Sequence, residues 1–302
     1  MTQTSFSILI TTKNRLTDLI FTLKKIQYLL DRNDVVCLIC DDGSTDGTAL
    51  YLKANYPEIQ LIQNPKSRGL IYSRNRLMNM VATEFAISID DDLHFITHNP
   101  LEIISDFFHH KSAVAVLSFR IFWNKTEPQA IATNEKSVIM QSYAGGAHVF
   151  RMQAWHDIPD YPAWFVFYGE ENFASYQLFK KNWEIHYLPE VLVHHRVDVK
   201  SRKNNVDYVV RSRRALRAGW YLFFLFYPIK RIPRKMAYSL WMQFRLKVFK
   251  GDFKALQAII LAVWDLVWNM PRIVKNSNRL TEKEYKSYNQ LSETKIYWQP
   301  EK

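Results

Sequence analysis

Cysteine is scarce in this chain: among 302 residues only Cys37 and Cys40 occur, in the run VVCLICDD. A C-x-x-C pair can be a redox motif. Here the run reads as a strand, and an offset of three puts the two thiols on opposite faces, where they cannot bridge. They are expected to be core residues, which fits a reducing compartment. The N-terminus, MTQTSFSILI, lacks the basic start and long apolar core of a secretory signal. No window offers the roughly 18 uninterrupted apolar residues of a spanning helix. The chain is therefore expected to be made and kept in the cytoplasm. Acidic residues are missing from one region in particular. Between Arg196 and Lys250 there are 15 Lys and Arg against 2 Asp and Glu, whereas the rest of the +11 chain is close to neutral.

Hydrophobic residues make up 48% and charged residues 23%, ample for a globular core. The length suits one large α/β domain with an appendage, or two domains. Ser5 to Thr11 is a buried-strand run followed by the polar turn TKNR, and apolar residues from Leu16 to Leu30 recur at helical spacing. Val35 to Cys40 is a second strand, closed by DDGSTDGT, in which Asp46 or Thr48 is expected to cap a helix through Tyr51. A short strand at Ile59 to Gln63 and a loop and helix at 67–82 follow. The order predicted is β-α-β-α-β-α-β, an α/β fold with a mostly parallel sheet flanked by helices. Ligands of such sheets bind at the carboxyl ends of the strands. TTKNR, DDGS and DDD all follow strands, so they should gather at one edge.

The fourth strand, FAISI, ends in Asp90, Asp91 and Asp92. Three adjacent carboxylates repel one another unless a cation sits among them. Hard oxygen ligands of this kind suit Mg2+ or Mn2+. Side chains alternate along an extended segment, which places Asp90 and Asp92 on one face and Asp91 on the other. A solvated acidic loop is the plainer reading of the same three residues.

SILITTKNR, CDDGSTDGT, RGLIYSRN and SIDDD, followed by AGGAHVFR, YGEENF and VLVHHR, resemble the family 2 glycosyltransferases of GT-A fold across roughly residues 5 to 200. The resemblance implies a metal-dependent, inverting transferase. It would move a hexosyl or deoxyhexosyl unit from a UDP-sugar or dTDP-sugar to a hydroxyl of a glycan or lipid-linked acceptor, in bacterial surface polysaccharide or glycolipid assembly. It implies that Thr11 and Asp42 hold the nucleobase and ribose, with Arg15 and Arg74 among the donor-binding residues. The DDD run corresponds to the family's D-x-D element: Asp92 would ligate Mg2+ or Mn2+, and Asp90 would reach the ribose or a metal-bound water. Asp91 is counted with the donor site without a fixed task. Gly145 and Gly146 would let the backbone pass close to the donor sugar. The family usually has Glu-Asp where this chain has Glu170–Glu171, so Glu171 falls at the general-base position, with Glu170 the alternative. A metal-ligand histidine is expected near 194, His194 being the closer match and His195 its alternative.

Two rival readings remain at this level. A sugar-phosphate nucleotidyltransferase shares this kind of sheet but usually needs glycine in the first loop, which TTKNR lacks. A non-catalytic membrane- or nucleic-acid-binding module on a degenerate transferase fold is the other. The division expected is a catalytic domain at 1–205, its nucleotide-binding half at 1–95 and its acceptor half at 96–205, then a basic, aromatic-rich helical region at 206–302. Interleaved Trp, Phe, Lys and Arg there suit helices lying at an anionic membrane, peripheral to its inner face. A solvated basic face on a packed subdomain is the alternative. Nucleic acid is not expected as a partner, since an acidic catalytic edge repels phosphate. The tail, 277–302, is expected to be polar and partly extended, with Tyr285, Tyr288 and Trp298 as docking points.

Overall fold

The computed structural model describes residues 5–197 and 207–300; the domain boundary expected at 205/206 lies outside the described residues. The chain runs β1 (Phe6–Thr12), α1 (Leu16–Leu30), β2 (Val35–Asp41), α2 (Thr48–Asn55), β3 (Gln60–Gln63), α3 (Leu70–Met78), β4 (Phe85–Asp90) and β5 (Leu93–Phe95). It continues through α4 (Pro100–His110), β6 (Val114–Trp123), β7 (Ala147–Arg151), α5 (Met152–His156), α6 (Glu170–Lys180) and β8 (Glu184–His195). The C-terminal helices are α7 (Tyr208–Phe226), α8 (Ile232–Leu246), α9 (Phe253–Lys275) and α10 (Glu282–Tyr288).

The strands form one sheet in the order β3-β2-β1-β4-β7-β6-β8-β5. Its first four are parallel, as expected from their apolar character and the helices between them. Beyond β4 the sheet turns mixed: β7 runs antiparallel to both β4 and β6, β6 and β8 are parallel, and β5 is antiparallel to β8. Alternation sorts the core onto the two faces. Phe6, Ile8, Ile10 and Cys37 meet α1 and α4 on one side, and Leu9, Leu38 and Cys40 meet α3, α6 and α7 on the other. Both cysteines are free and buried, on opposite faces as their spacing predicts.

Three local outcomes differ from the sequence expectation. The α2 helix extends to Asn55, its N-cap is Gly47 at φ +87°, and Asp46 serves two helix starts. One Asp46 oxygen accepts from Thr48 N (3.2 Å) and the other from Leu16 N (3.0 Å). In the C-terminal region, one helix runs on through Asp265 and Pro271. Phe253–Lys275 is one 23-residue helix, by length and composition alone a candidate to cross a membrane. The tail is also more ordered than its polarity suggests. It forms α10 through a Thr281–Glu284 capping box, buries Tyr285 and Tyr288, and ends with Trp298 buried beside β6.

Candidate active site

Four strand ends build the site. The β1–β4 register sets Thr11 beside Asp90, and Asp41 ends β2 beside Thr12. Asp91 and Asp92 form the turn into β5, and β5 pairs Leu93 with His195, which brings the end of β8 to the same place. The polar clusters after β1, β2 and β4 therefore converge on a cleft of about 390 Å3 at the carboxyl edge of the sheet.

Asp91 takes partners of its own: its Oδ2 accepts from Thr12 Oγ1 at 2.8 Å, and Arg15, which also holds Asp92, lies 3.3 Å from its Oδ1. Burial and the neighbouring carboxylates outweigh Arg15 and Thr12 and push its carboxyl up to about 7. Asp92 goes the other way. Burial would raise it, but His195 and Arg15 hold it well below the usual carboxylate range. Arg15 Nη2 is 2.6 Å from Asp92 Oδ2, and His195 Nε2 is 2.9 Å from Oδ1. Burial raises the Asp90 carboxyl against the pull of Arg74 and His195.

Asp90, Asp92 and His195 each place one ligand atom within 4.8 Å of the others. Asp92 Oδ1 is buried and no hydrogen-bond donor is aligned on it. His195, rather than His194, faces the carboxylates, because successive strand residues point to opposite faces. His194 donates from Nε2 to the Asn124 carbonyl at 2.8 Å and stacks edge-on against His94. With Glu127 these two histidines make a separate group, closed by Lys25 on Glu127 and Arg196 on His94.

Arg74 is the hub of a second cluster, joined to the cleft through Asp90. Only 6% exposed, it reaches Glu170 Oε1 at 2.9 Å, Asp90 Oδ1 at 3.2 Å and the Gly145 carbonyl at 2.8 Å. Glu171 Oε1 lies 3.7 Å from the same guanidinium. Both glutamates open α6 after a tight loop in which Val166, Tyr168 and Gly169 all have positive φ. For two non-glycine residues this is a strained backbone, of the kind found where a structure fixes a working side chain. Burial raises both carboxyls, and repulsion from Glu170 raises Glu171 further. The glycines opposite leave room for the carboxylates where they now lie. A Cβ on Gly145 would fall 1.9 Å from Glu171 Oε1, and one on Gly146 would fall 2.9 Å from Asp90 Oδ2.

Thr11 lines the cleft, while the oxygens of Asp42 are already engaged: Asn64, Ser67, Ser73 and the backbone N–H groups of Arg68 and Gly69 all donate to them. Asp42 thus shapes the cleft wall by holding loop 64–69. Phe165 is core and Trp164 packs on Tyr221, which leaves Phe167 as the aromatic that lines the cleft. Sequence reasoning missed Lys13, Ser67, Arg211 and Arg214, which also line it. Lys13 was legible in the TTKNR turn. The two arginines come from the start of α7, and nothing local in RSRR points to a cleft built largely by the ends of β1, β2 and β4, more than a hundred residues earlier.

Comparison with known proteins accords with this architecture. No curated protein sequence matches the chain. Among solved structures, GalNAc-T7 aligns at TM-score 0.58 and 13% identity over 74% of this chain, which spans about half (48%) of that one. A mannosyltransferase from Pyrobaculum calidifontis aligns at TM-score 0.56 and 13% identity, covering 95% of this chain and 84% of that one. Staphylococcus aureus TarS (S. aureus, residues 1–349) aligns at TM-score 0.51 and 15% identity over 72% and 66%. These likenesses show a shared fold, a mostly parallel sheet flanked by helices. The model of glycosyl transferase family 2 matches residues 7–165, more than half of the sequence. The chain belongs to glycosyl transferase family 2.

Proposed function

We propose that this protein is a metal-dependent, inverting glycosyltransferase. It moves a sugar from a UDP- or dTDP-sugar to a hydroxyl of a lipid-linked glycan acceptor, in surface polysaccharide or glycolipid assembly. The observation that carries the reading is the convergence of Asp90, Asp92 and His195 within 4.8 Å at the cleft, with Glu171 packed over Gly145 and joined to Asp90 through Arg74. The solved relatives support the donor class: the GalNAc-T7 structure holds UDP, GalNAc and Mn2+, the mannosyltransferase GDP-Man and Mn2+, and TarS UDP-GlcNAc. A lipid-linked acceptor would place the enzyme at the inner face of the cell membrane.

The donor set fits a divalent ion. Two carboxylates and one imidazole suit Mn2+ or Mg2+, and the buried Asp92 Oδ1 lacks an aligned donor of its own. Asp92, His195 and Asp90 would hold the ion, which when bound supplies charge stabilisation to the departing diphosphate. Lys13, Arg15, Arg211 and Arg214 add positive charge along the same wall. Thr11 and the Asp42-held loop border the nucleoside end.

Glu171 is the general base. Glu170 is pinned at 2.9 Å to Arg74 and almost wholly buried, whereas Glu171 keeps 21% of its side chain open. Its carboxylate removes the acceptor hydroxyl proton as that oxygen attacks the anomeric carbon, and the bond from that carbon to the diphosphate oxygen breaks. One displacement of this kind inverts the anomeric centre. Thermal stabilisation by UDP, dTDP, GDP, CMP and ADP, with and without Mn2+, tests the reading. A Mn2+-dependent rise in melting temperature with UDP or dTDP, lost in Asp92→Asn, is expected. No shift with any nucleotide would sink it.

A further inference from the structure

The solvent face of α8 and α9 is apolar and flanked by cations. On α9, Phe253, Ile260, Trp264, Val267, Trp268 and Val274 are each 56–75% exposed. Each lies three, four or seven residues from another of the set, so together they form one stripe of the helix. The opposite stripe, from Ala255 through Ala262 to Ile273, is buried in the core that α7 shares. On α8 and just beyond it, Tyr238, Trp241 and Phe249 are 54–68% exposed, with the Trp241 and Phe249 rings 6.1 Å apart.

Between Ile229 and Asn276 the sequence has ten Lys and Arg and only two acids, Asp252 and Asp265. Neither acid faces outward with its charge free. Asp252 caps α9 through Ala255 N and accepts from Tyr208, and Asp265 is buried against Arg213 and Arg217. The exposed charges beside the stripes are therefore cations, among them Arg234, Lys235, Arg245, Lys254 and Arg272.

We propose that this face lies flat in the interface of a membrane carrying anionic lipid. Trp264, Trp268 and Trp241 would sit at the boundary between headgroups and acyl chains, and the cations would sit on lipid phosphates. Exposed Ile and Val have no use on a phosphate backbone, which disfavours nucleic acid. A second copy would bring two like-charged rims together, which disfavours self-association. The helix is long enough to cross a bilayer, but it is fastened along its length to α7. Asp265 accepts from Arg213 Nε at 2.6 Å and Arg217 Nη1 at 3.1 Å, its carbonyl accepts from Tyr221 Oη, and Asn269 donates to that same Tyr221 oxygen. Crossing would break these bonds and strand a charge in hydrocarbon, so the helix lies on the surface.

The same α7 that holds α9 contributes Arg211 and Arg214 to the cleft, so the membrane face and the cleft are mounted on one helix. The inference stands on the C-terminal helices and does not need the transferase reading. The test is co-sedimentation of the full chain with vesicles of phosphatidylcholine alone and of equal parts phosphatidylcholine and phosphatidylglycerol. Binding to the anionic vesicles, weakened by salt, is expected, with Trp264→Ser/Trp268→Ser lowering the partition at least about tenfold. Both residues are exposed, so an unchanged melting temperature confirms that the variant folds. No binding to anionic vesicles, or equal binding by the variant, overturns the proposal. A dimer in light scattering that the variant dissociates overturns it as well, as does salt-sensitive retention of RNA in place of vesicles.

Discussion

A general base must be ionised to work, and Glu171, the base proposed above, is held in surroundings that resist ionisation. Burial comes first among the causes, repulsion from Glu170 second, and Arg74 at 3.7 Å only partly offsets them. The sign follows directly. The folded state binds this proton more tightly than the unfolded chain does. Any stability gained is present below the unfolded value and lost as pH rises through the folded one. In the metal-free protein, Glu171→Gln is therefore expected to melt above the wild type at about pH 9 and close to it at about pH 5, near the ordinary glutamate range. Activity moves oppositely. Wild-type kcat/KM should fall on the acid side well above the ordinary glutamate value of about 4.3, and Glu171→Gln should lose the turnover that shows this limb. Melting curves and a pH–rate profile check both. A variant no more stable at alkaline pH would mean that Glu171 is not the strained carboxylate of the pair.

At the scale of elements, the segment from β2 to α3 shows how a single side chain can set a wall of the site. Asp42 ends no helix and pairs with no cation; it gathers Asn64, Ser67, Arg68, Gly69 and Ser73 around one carboxylate. Burial would raise its pKa, but these donors hold it below the usual range. Gly43, at φ +74°, makes the approach possible, since a Cβ there would come within 2.8 Å of Ser67 N. Asp42→Ala is expected to cost about 2 kcal/mol, because several donors lose their acceptor together. Denaturant melts without nucleotide measure this. A residue that only touches the base would leave that stability unchanged and alter donor affinity alone. The sequence made the carboxylate legible, because DDGS ends a buried strand, but not its donors, which are spread over residues 64–73. The choice between His194 and His195 was hidden for a related reason. Adjacent strand residues differ only in parity, and the parity is set by the pairing of Leu93 with His195. The first four strands needed no such information, since their apolar runs and intervening helices carry it locally.

Across the whole molecule, the C-terminal tail ties the helical extension back to the sheet that carries the site. After α9 the chain packs Tyr288 against Tyr176 at 4.6 Å, bridges Ser292 to Met140, and lays Trp298 beside Phe122. The Arg120 guanidinium sits 4.5 Å over the Trp298 ring, and Trp298 N donates to the Ile121 carbonyl at 2.6 Å. Next to it Tyr297 packs on Trp123, and Trp123 stands edge-on to His195 at 5.5 Å. Composition points the other way, since a polar terminal stretch is usually loose; four aromatics, Tyr285, Tyr288, Tyr297 and Trp298, are the local sign of docking. The contact chain Trp298–Phe122 and Tyr297–Trp123–His195 means that the tail buttresses a proposed metal ligand from behind. Trp298→Ala is expected to destabilise the protein by about 3 kcal/mol, as for other buried large-to-small changes. It should also reduce the stabilisation that Mn2+ with nucleotide confers, because His195 loses its backing. Calorimetry of the variant with and without these ligands separates the two effects. A lower melting temperature with undiminished ligand stabilisation would make the tail a structural strap alone, with no hold on the site.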